Sequence, residues 1–260
     1  MTAFGMPFLL ELESVEACAA LCRELGLSFV ELNMNVPVCQ TDRLTAGMLL
    51  ALKEQYGIGF TLHMDEEADP FCFNPLVRAA WLESFHQALQ LCAAAGMPVL
   101  NMHMPKGVYF TLPGERVFLQ QRYQDDFLAS VCRFRTQVET WTAGGGPLVC
   151  VENTDGFTPA GRLALETLLE SDAFGLTLDT GHCHAAGNAD LPFYDRHRNR
   201  LCHMHAHDCT GKRDHLPFGE GEVDLRERLG RTRETGARVV LEVKTAAALR
   251  ATVEALPRYL

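Results

Sequence analysis

Two hydrophobic rhythms alternate along the chain. Runs of six or seven residues, mostly apolar and ending in polar side chains, are separated by longer stretches whose apolar positions recur at i, i+3, i+4 and i+7. The short runs are 7–12 (PFLLEL), 28–34 (SFVELNM), 58–64 (IGFTLHM), 98–104 (PVLNMHM), 147–153 (PLVCVEN), 175–180 (GLTLDT), 201–207 (LCHMHAH) and 238–244 (RVVLEVK). They predict eight strands. The longer stretches include 14–26, 43–57, 75–96 and the region around 115–143; several stop at a glycine, as helix ends do. Strands alternating with helices pair in parallel through right-handed crossovers.

Eight such units in 260 residues match a single-domain (β/α)8 barrel of the α/β class, spanning 1–260. A doubly wound open sheet is the structural alternative, but no G-x-G-x-x-G follows the first strand and no Walker loop is present. No linker, low-complexity tract or internal repeat divides the chain.

Composition narrows the setting. Hydrophobic residues make up 47%, enough for a substantial core, yet no apolar run approaches the roughly 20 residues that span a bilayer. The ten cysteines are scattered over apolar segments, and the N-terminus lacks a signal-peptide pattern, so a soluble cytoplasmic protein with reduced thiols is expected. A net charge of −10 weighs against broad nucleic-acid binding, which needs clustered Lys and Arg.

The chemistry lies at the ends of the strands, where a barrel of this kind keeps its catalytic groups. The last polar residues are Glu31, His63, His103, Glu152, Asp179 with His182, His205 and Glu242; all but the first are good ligands or acid/base groups at that place. In 201–207 the period of two puts His203, His205 and His207 on one face, directed into the barrel, with Cys202, Met204 and Ala206 opposite. A single buried histidine is usually a hydrogen-bonded core residue, and His86 and His197, on helical stretches, are read that way. Six ionisable groups at matching strand ends are different, because burying them uncompensated costs several kcal/mol each. Bound cations are the economical compensation. Mixed imidazole and carboxylate donors suit Zn²⁺, Mn²⁺, Co²⁺ or Fe²⁺, whereas Cys183 and Cys209, without C-x-x-C spacing, are expected to pack.

The segments VCVENTDG (149–156), GLTLDTGHCHAAG (175–187), HMHAHDCTGKRDHLPFGEGEVD (203–224) and VVLEVK (239–244) resemble the xylose isomerase-like TIM-barrel superfamily, which holds sugar and sugar-phosphate isomerases and epimerases and the endonuclease IV group. The resemblance implies that Glu152, Asp179, His205 and Glu242 form the four-ligand metal site of the ketose epimerases. It further implies that the two glutamates exchange the proton alpha to a sugar carbonyl through a metal-stabilised enediolate. His182 resembles a residue that hydrogen-bonds substrate there, and Arg213 falls near a substrate-binding arginine. The alternative is an endonuclease IV-like zinc hydrolase of abasic-site DNA: His63 and His103 match the positions that hold an additional zinc with Glu152, and His182 and His215 match two ligands of a third. The remaining third-site position, an aspartate in that group, is Arg213 here, so one or two ions are expected.

In HLPFGEGEVD, Gly219 and Gly221 permit tight turns and Asp224 is placed to cap the helix that begins LRERL, while His215 faces the site. Phe71, Phe73, Tyr109 and Phe110 are expected on one rim, shielding a sugar-sized ligand or meeting a second subunit. The sequence therefore predicts a metal-dependent isomerase or epimerase of a small carbohydrate, catalytic through Glu152 and Glu242, with His182, Arg213 and His215 on the substrate and with exposed barrel helices able to pair as a homo-oligomer. A barrel turned sugar-binding or regulatory protein is a third reading, disfavoured by the intact carboxylates.

Overall fold

In a computed structural model that describes residues 2–260, eight parallel strands close into one barrel. They are β1 (Phe4–Pro7), β2 (Phe29–Asn33), β3 (Gly59–His63), β4 (Val99–His103), β5 (Leu148–Glu152), β6 (Phe174–Asp179), β7 (Leu201–Ala206) and β8 (Arg238–Leu241). Each pairs with its neighbours in chain order, and β8 closes onto β1. Strand interiors carry Val, Leu and Met outward, and helices cover them. Phe71, Phe85, Phe127, Phe134 and Phe174 interlock edge to face between the helices Pro75–Ala95 and Gln124–Trp141 and the barrel wall.

Helix starts follow local chemistry. Ser14, Thr45, Thr158 and Thr245 each accept from the backbone N–H three residues on, Asn74 accepts from Leu76 and Val77, and Pro75 and Pro159 fill first-turn positions whose N–H would have no partner. Asp224 caps Leu225–Thr235 through the Glu227 N–H, as its spacing predicts.

Three expectations are corrected. The first strand lies at 4–7 rather than 7–12: Gly5 lets the Phe29 ring lie against the backbone, where a Cβ would come within 2.6 Å, and Leu10–Leu12 turn away as a short 3-10 helix with Leu10 exposed. The run FLLEL is continuous in hydrophobicity but not in the ladder. The region 115–143 opens as a strand, Glu115–Phe118, that forms a hairpin with Tyr109–Leu112 before the helices begin. Phe71 is buried among phenylalanines and does not reach the rim, whereas Phe73, Tyr109 and Phe110 are exposed. A second hairpin, Asp208–Thr210 with Arg213–Leu216, stands on β7 at the barrel mouth. No helix is long and apolar enough to cross a membrane among the described residues.

Candidate metal centre

Parallel register brings distant residues to one level. His103 lies opposite Glu152 and Asp179 opposite His205, while Glu242 follows β8 and donates its N–H to the Ala206 carbonyl at 3.0 Å. One donor atom from each of Glu152, Asp179, His205 and Glu242 falls within 4.8 Å of the others. His205 Nδ1 is the hub, 3.1 Å from Glu152 Oε1 and 3.1 Å from Glu242 Oε2. The grouping expected from the sequence is therefore assembled.

The two further histidines flank it differently. His63 Nδ1 lies 2.6 Å from the Met64 carbonyl, so that nitrogen carries the proton and Nε2, 3.3 Å from Glu152 Oε2, keeps its lone pair. His63, Glu152 and His205 form a second trio of convergent donors. His103 Nε2 stands 3.7 Å from the same Glu152 oxygen and outside that trio, with its ring edge-on to His63.

A third grouping joins His182, His207 and His215. His207 Nε2 donates to Asp179, 3.0 Å from Oδ1, and its Nδ1 accepts the His215 backbone N–H at 2.8 Å, so the Asp179 carboxylate and the hairpin are tied through one buried ring. The ring passes directly over Gly181, where a Cβ would sit 2.1 Å from it; this is the physical need for glycine in D-T-G-H. Asp179 also caps the short helix Thr180–Ala185, accepting the His182 N–H at 2.7 Å. His182 and His215 both face Asp214, whose oxygens lie 3.4 Å from His182 Nε2 and 3.0 Å from His215 Nδ1. Arg213, expected on the substrate, is exposed and makes no ion pair with these groups among the described residues. The hairpin's alternation turns Arg213 outward and Asp214 inward, and His215 adopts a positive φ of 54° that returns its side chain to the site.

Beneath these candidate donors lies a polar layer of which the sequence reading had named only Glu31 and His203. Thr61, Asn101, Thr177 and His203 sit two residues before His63, His103, Asp179 and His205 and so share their inward face, and Glu31 lies among them. Thr177 donates to Asn101 Oδ1, and Asn101 Nδ2 donates to Glu152 Oε2, fixing that carboxylate. Asp208, next to the histidine run, accepts four backbone N–H groups, those of Cys209, Val223, Gly219 and Gly221, and thereby folds the G-E-G loop onto the mouth.

The site's electrostatics follow from crowding. Burial disfavours a charged His205, but Glu152, Glu31 and Glu242 outweigh it and raise its pKa well above the ordinary value. Burial likewise opposes ionised Glu152 and Glu242, and the facing His205, with His103 beside the first and His215 beside the second, holds both well below the carboxylate range. Burial wins at His103 and His203, whose pKa values fall.

Two hollows open on the centre. One of about 470 Å³ is bounded by His103, His182, Lys106, Asp155 and the loop at Glu66–Asp69; the other, about 350 Å³, by Phe8, Leu10, Asn33, His63, Glu242 and Lys244.

Comparison with known proteins decides the family. The profile described as xylose isomerase-like TIM barrel matches residues 19–259. The chain belongs to that family. A Methanocaldococcus jannaschii relative, "Uncharacterized protein MJ1311", is 25% identical over 207 residues, covering 75% of this chain and 67% of its own. Among solved structures, a D-tagatose 3-epimerase-like protein superposes with TM-score 0.79 at 22% identity, over 99% of this chain and 97% of its own. The Escherichia coli 3-keto-D-glucoside 4-epimerase YcjR gives 0.75 at 17%, over 100% and 99%. IolI, solved with a zinc atom, gives 0.77 at 16%, over 100% and 98%. At these identities the structural likeness establishes the fold.

Whether this xylose isomerase-like barrel is built for a cation can be judged from its own atoms. Glu31, Glu152 and Asp179 are buried and Glu242 nearly so, with Lys244 at the rim the single Lys or Arg paired to any of them among the described residues. Glu242 Oε2 and His182 Nδ1 are buried without a hydrogen-bond partner among the described residues. Carboxylates packed this closely repel, and leaving them uncompensated costs several kcal/mol. The residues fit a divalent ion with oxygen and nitrogen donors.

Proposed function

We propose that this protein is a metal-dependent isomerase or epimerase of a sugar or related polyhydroxy carbonyl compound, with Glu152 and Glu242 as the proton-transferring carboxylates. The observation that carries the reading is the convergence of both glutamates on one nitrogen of His205, with Asp179 closing the donor set. Two carboxyl groups inside one site can act on the same carbon: the ionised one takes the proton alpha to the carbonyl, and the other, carrying a proton drawn from solvent, returns one and is left ionised. When bound, a divalent cation supplies polarisation of the carbonyl and an adjacent hydroxyl, lowering the cost of the enediolate. Asn101 holds Oε2 of Glu152 and leaves the carboxylate in a fixed orientation toward substrate. His182 and His215, lining the mouth with Asp214, are placed to hydrogen-bond substrate hydroxyls. The sugar epimerases among the structural neighbours point to the same substrate class.

The test is solvent-hydrogen exchange. Incubated with a panel of free ketoses in deuterated water and Mn²⁺, Co²⁺ or Zn²⁺, the wild-type protein incorporates deuterium alpha to the carbonyl of its substrate. Glu152→Gln and Glu242→Gln each lower the rate by at least about 10²-fold, the usual contribution of a general base. Undiminished exchange in both variants contradicts the assigned roles.

One observation favours a second reading, a zinc-dependent phosphodiester hydrolase. Asp214 supplies a carboxylate between His182 and His215, where Arg213 had argued against a further cation. That reading requires chelator-sensitive nicking of an abasic-site duplex, and intact duplex in the presence of zinc-loaded protein removes it.

A further inference from the structure

Glu31 lies mid-strand in β2 at the level of Thr61 on β3, one layer below the donor cluster, and is 3% exposed. Its two oxygens face different partners. Oε2 accepts from Thr61 Oγ1 at 3.0 Å and from His203 Nε2 at 2.8 Å. His203 is fully buried, and its Nδ1 has no hydrogen-bond partner among the described residues, so its single ring proton belongs on Nε2, directed at Glu31. With Oε2 engaged twice, Oε1 is left to His205, 2.6 Å from Nε2. No well-aligned hydrogen bond reaches that nitrogen among the described residues. Glu31 is the group it faces.

The two ring nitrogens of His205 therefore look in opposite chemical directions. Nδ1 meets Glu152 and Glu242 on the side of the donor cluster, and Nε2 meets Glu31 on the side of the barrel floor. A histidine can hold a cation on one nitrogen only if that nitrogen is unprotonated, and a carboxylate that accepts a hydrogen bond from the N–H of the other nitrogen keeps the proton there and fixes the ring. We infer that Glu31, itself fixed by Thr61 and His203, is a positioning residue that retains the His205 proton on Nε2 and turns Nδ1 to the cation.

The inference rests on the proposed site at Glu152, Asp179, His205 and Glu242. Its sequence trace is modest. Glu31 lies in the middle of β2, below the level of the donors, and His203 precedes His205 by the two residues that return to the same face. Buried carboxylates opposite imidazoles could instead be a private ion pair with no bearing on the cation. The two possibilities differ in what Glu31→Gln does to metal binding. The glutamine keeps the volume and accepts from Thr61 and His203, but it removes the charge that holds the His205 proton.

The experiment is titration of the purified, chelator-stripped full chain with Co²⁺, followed by calorimetry and by the visible spectrum of the bound ion, with the melting temperature of the metal-free protein measured in parallel. In Glu31→Gln the Co²⁺ affinity falls about 10–100-fold, the usual cost of losing such a partner, and the ligand-field bands shift. His203→Gln gives a smaller loss of the same sign. A folded Glu31→Gln variant with wild-type Co²⁺ affinity and an unchanged spectrum overturns the inference. Should that variant fail to fold, the histidine ¹⁵N spectrum of the Zn²⁺-loaded wild-type protein decides: His205 protonated at Nε2 and metal-bound at Nδ1 sustains it, and the reverse assignment overturns it. A wild-type chain that binds neither ion removes the underlying site as well, which separates failure of the proposed function from failure of this step.

Discussion

His207 shows how much a single ring can be asked to hold. It touches Asp179 through one nitrogen and the His215 backbone through the other, and it lies so close over Gly181 that no side chain fits there. Gly181→Ala forces the ring away or displaces Asp179, so we expect a destabilisation of about 1–3 kcal/mol, as overpacked cores show, together with weaker metal binding. Thermal melts with and without metal check this; an unchanged melting temperature and affinity contradict it. At this scale the sequence was legible wherever period two and strand ends coincided. Glu152, Asp179, His205 and Glu242 stood out together with His63 and His103 because ionisable groups at the ends of apolar runs are costly to bury, and the resemblance alone singled out those four. Glu31 was seen and set aside, since its role depends on a partner 172 residues away that no local pattern reveals. Counting positions put Arg213 rather than Asp214 at the site, because the turn between the two hairpin strands, which spacing does not show, decides which alternate residue faces inward.

Among the elements, the hairpin Asp208–Leu216 and the G-E-G loop behave as one unit, gathered on the Asp208 carboxylate. Gly221 belongs to this arrangement, for a Cβ there would come within 2.4 Å of Asp208 Oδ1 and 2.5 Å of the Cys209 nitrogen. Asp208→Ala leaves four backbone donors without an acceptor, at about 1–3 kcal/mol for each that stays buried and unpaired. We expect loss of ordered structure in 208–224 ahead of the barrel, seen as fast amide exchange confined to that segment; protection equal to the wild type contradicts it. The alternation of elements was readable because a parallel barrel buries its strands on both faces. The first strand was misplaced by the same property, since an apolar run continuing past Pro7 carries no sign of where the ladder stops. The hairpin Tyr109–Phe118 was missed because its residues are largely exposed, and an exposed pair of strands has no burial pattern to write into the sequence.

For the whole molecule, six of the barrel's eight strand ends concentrate carboxylates and imidazoles in a space that water alone does not neutralise, and the account stands on a divalent cation completing it. Protons compete for the same places. His205 and His63 have raised pKa values, burial opposing their charge and Glu152 outweighing it, so protonated imidazole occupies the site at low pH and must be displaced. Apparent affinity therefore increases as the pH is raised through and above the ordinary histidine value of about 6.5. The most direct test is the metal content per chain, by elemental analysis, of protein purified without added metal or chelator, repeated for His205→Ala and His63→Ala near neutral pH. The account predicts at least one divalent ion per chain that is lost in His205→Ala and retained in His63→Ala. A wild-type chain with no bound ion, or an ion retained at full occupancy in His205→Ala, contradicts it.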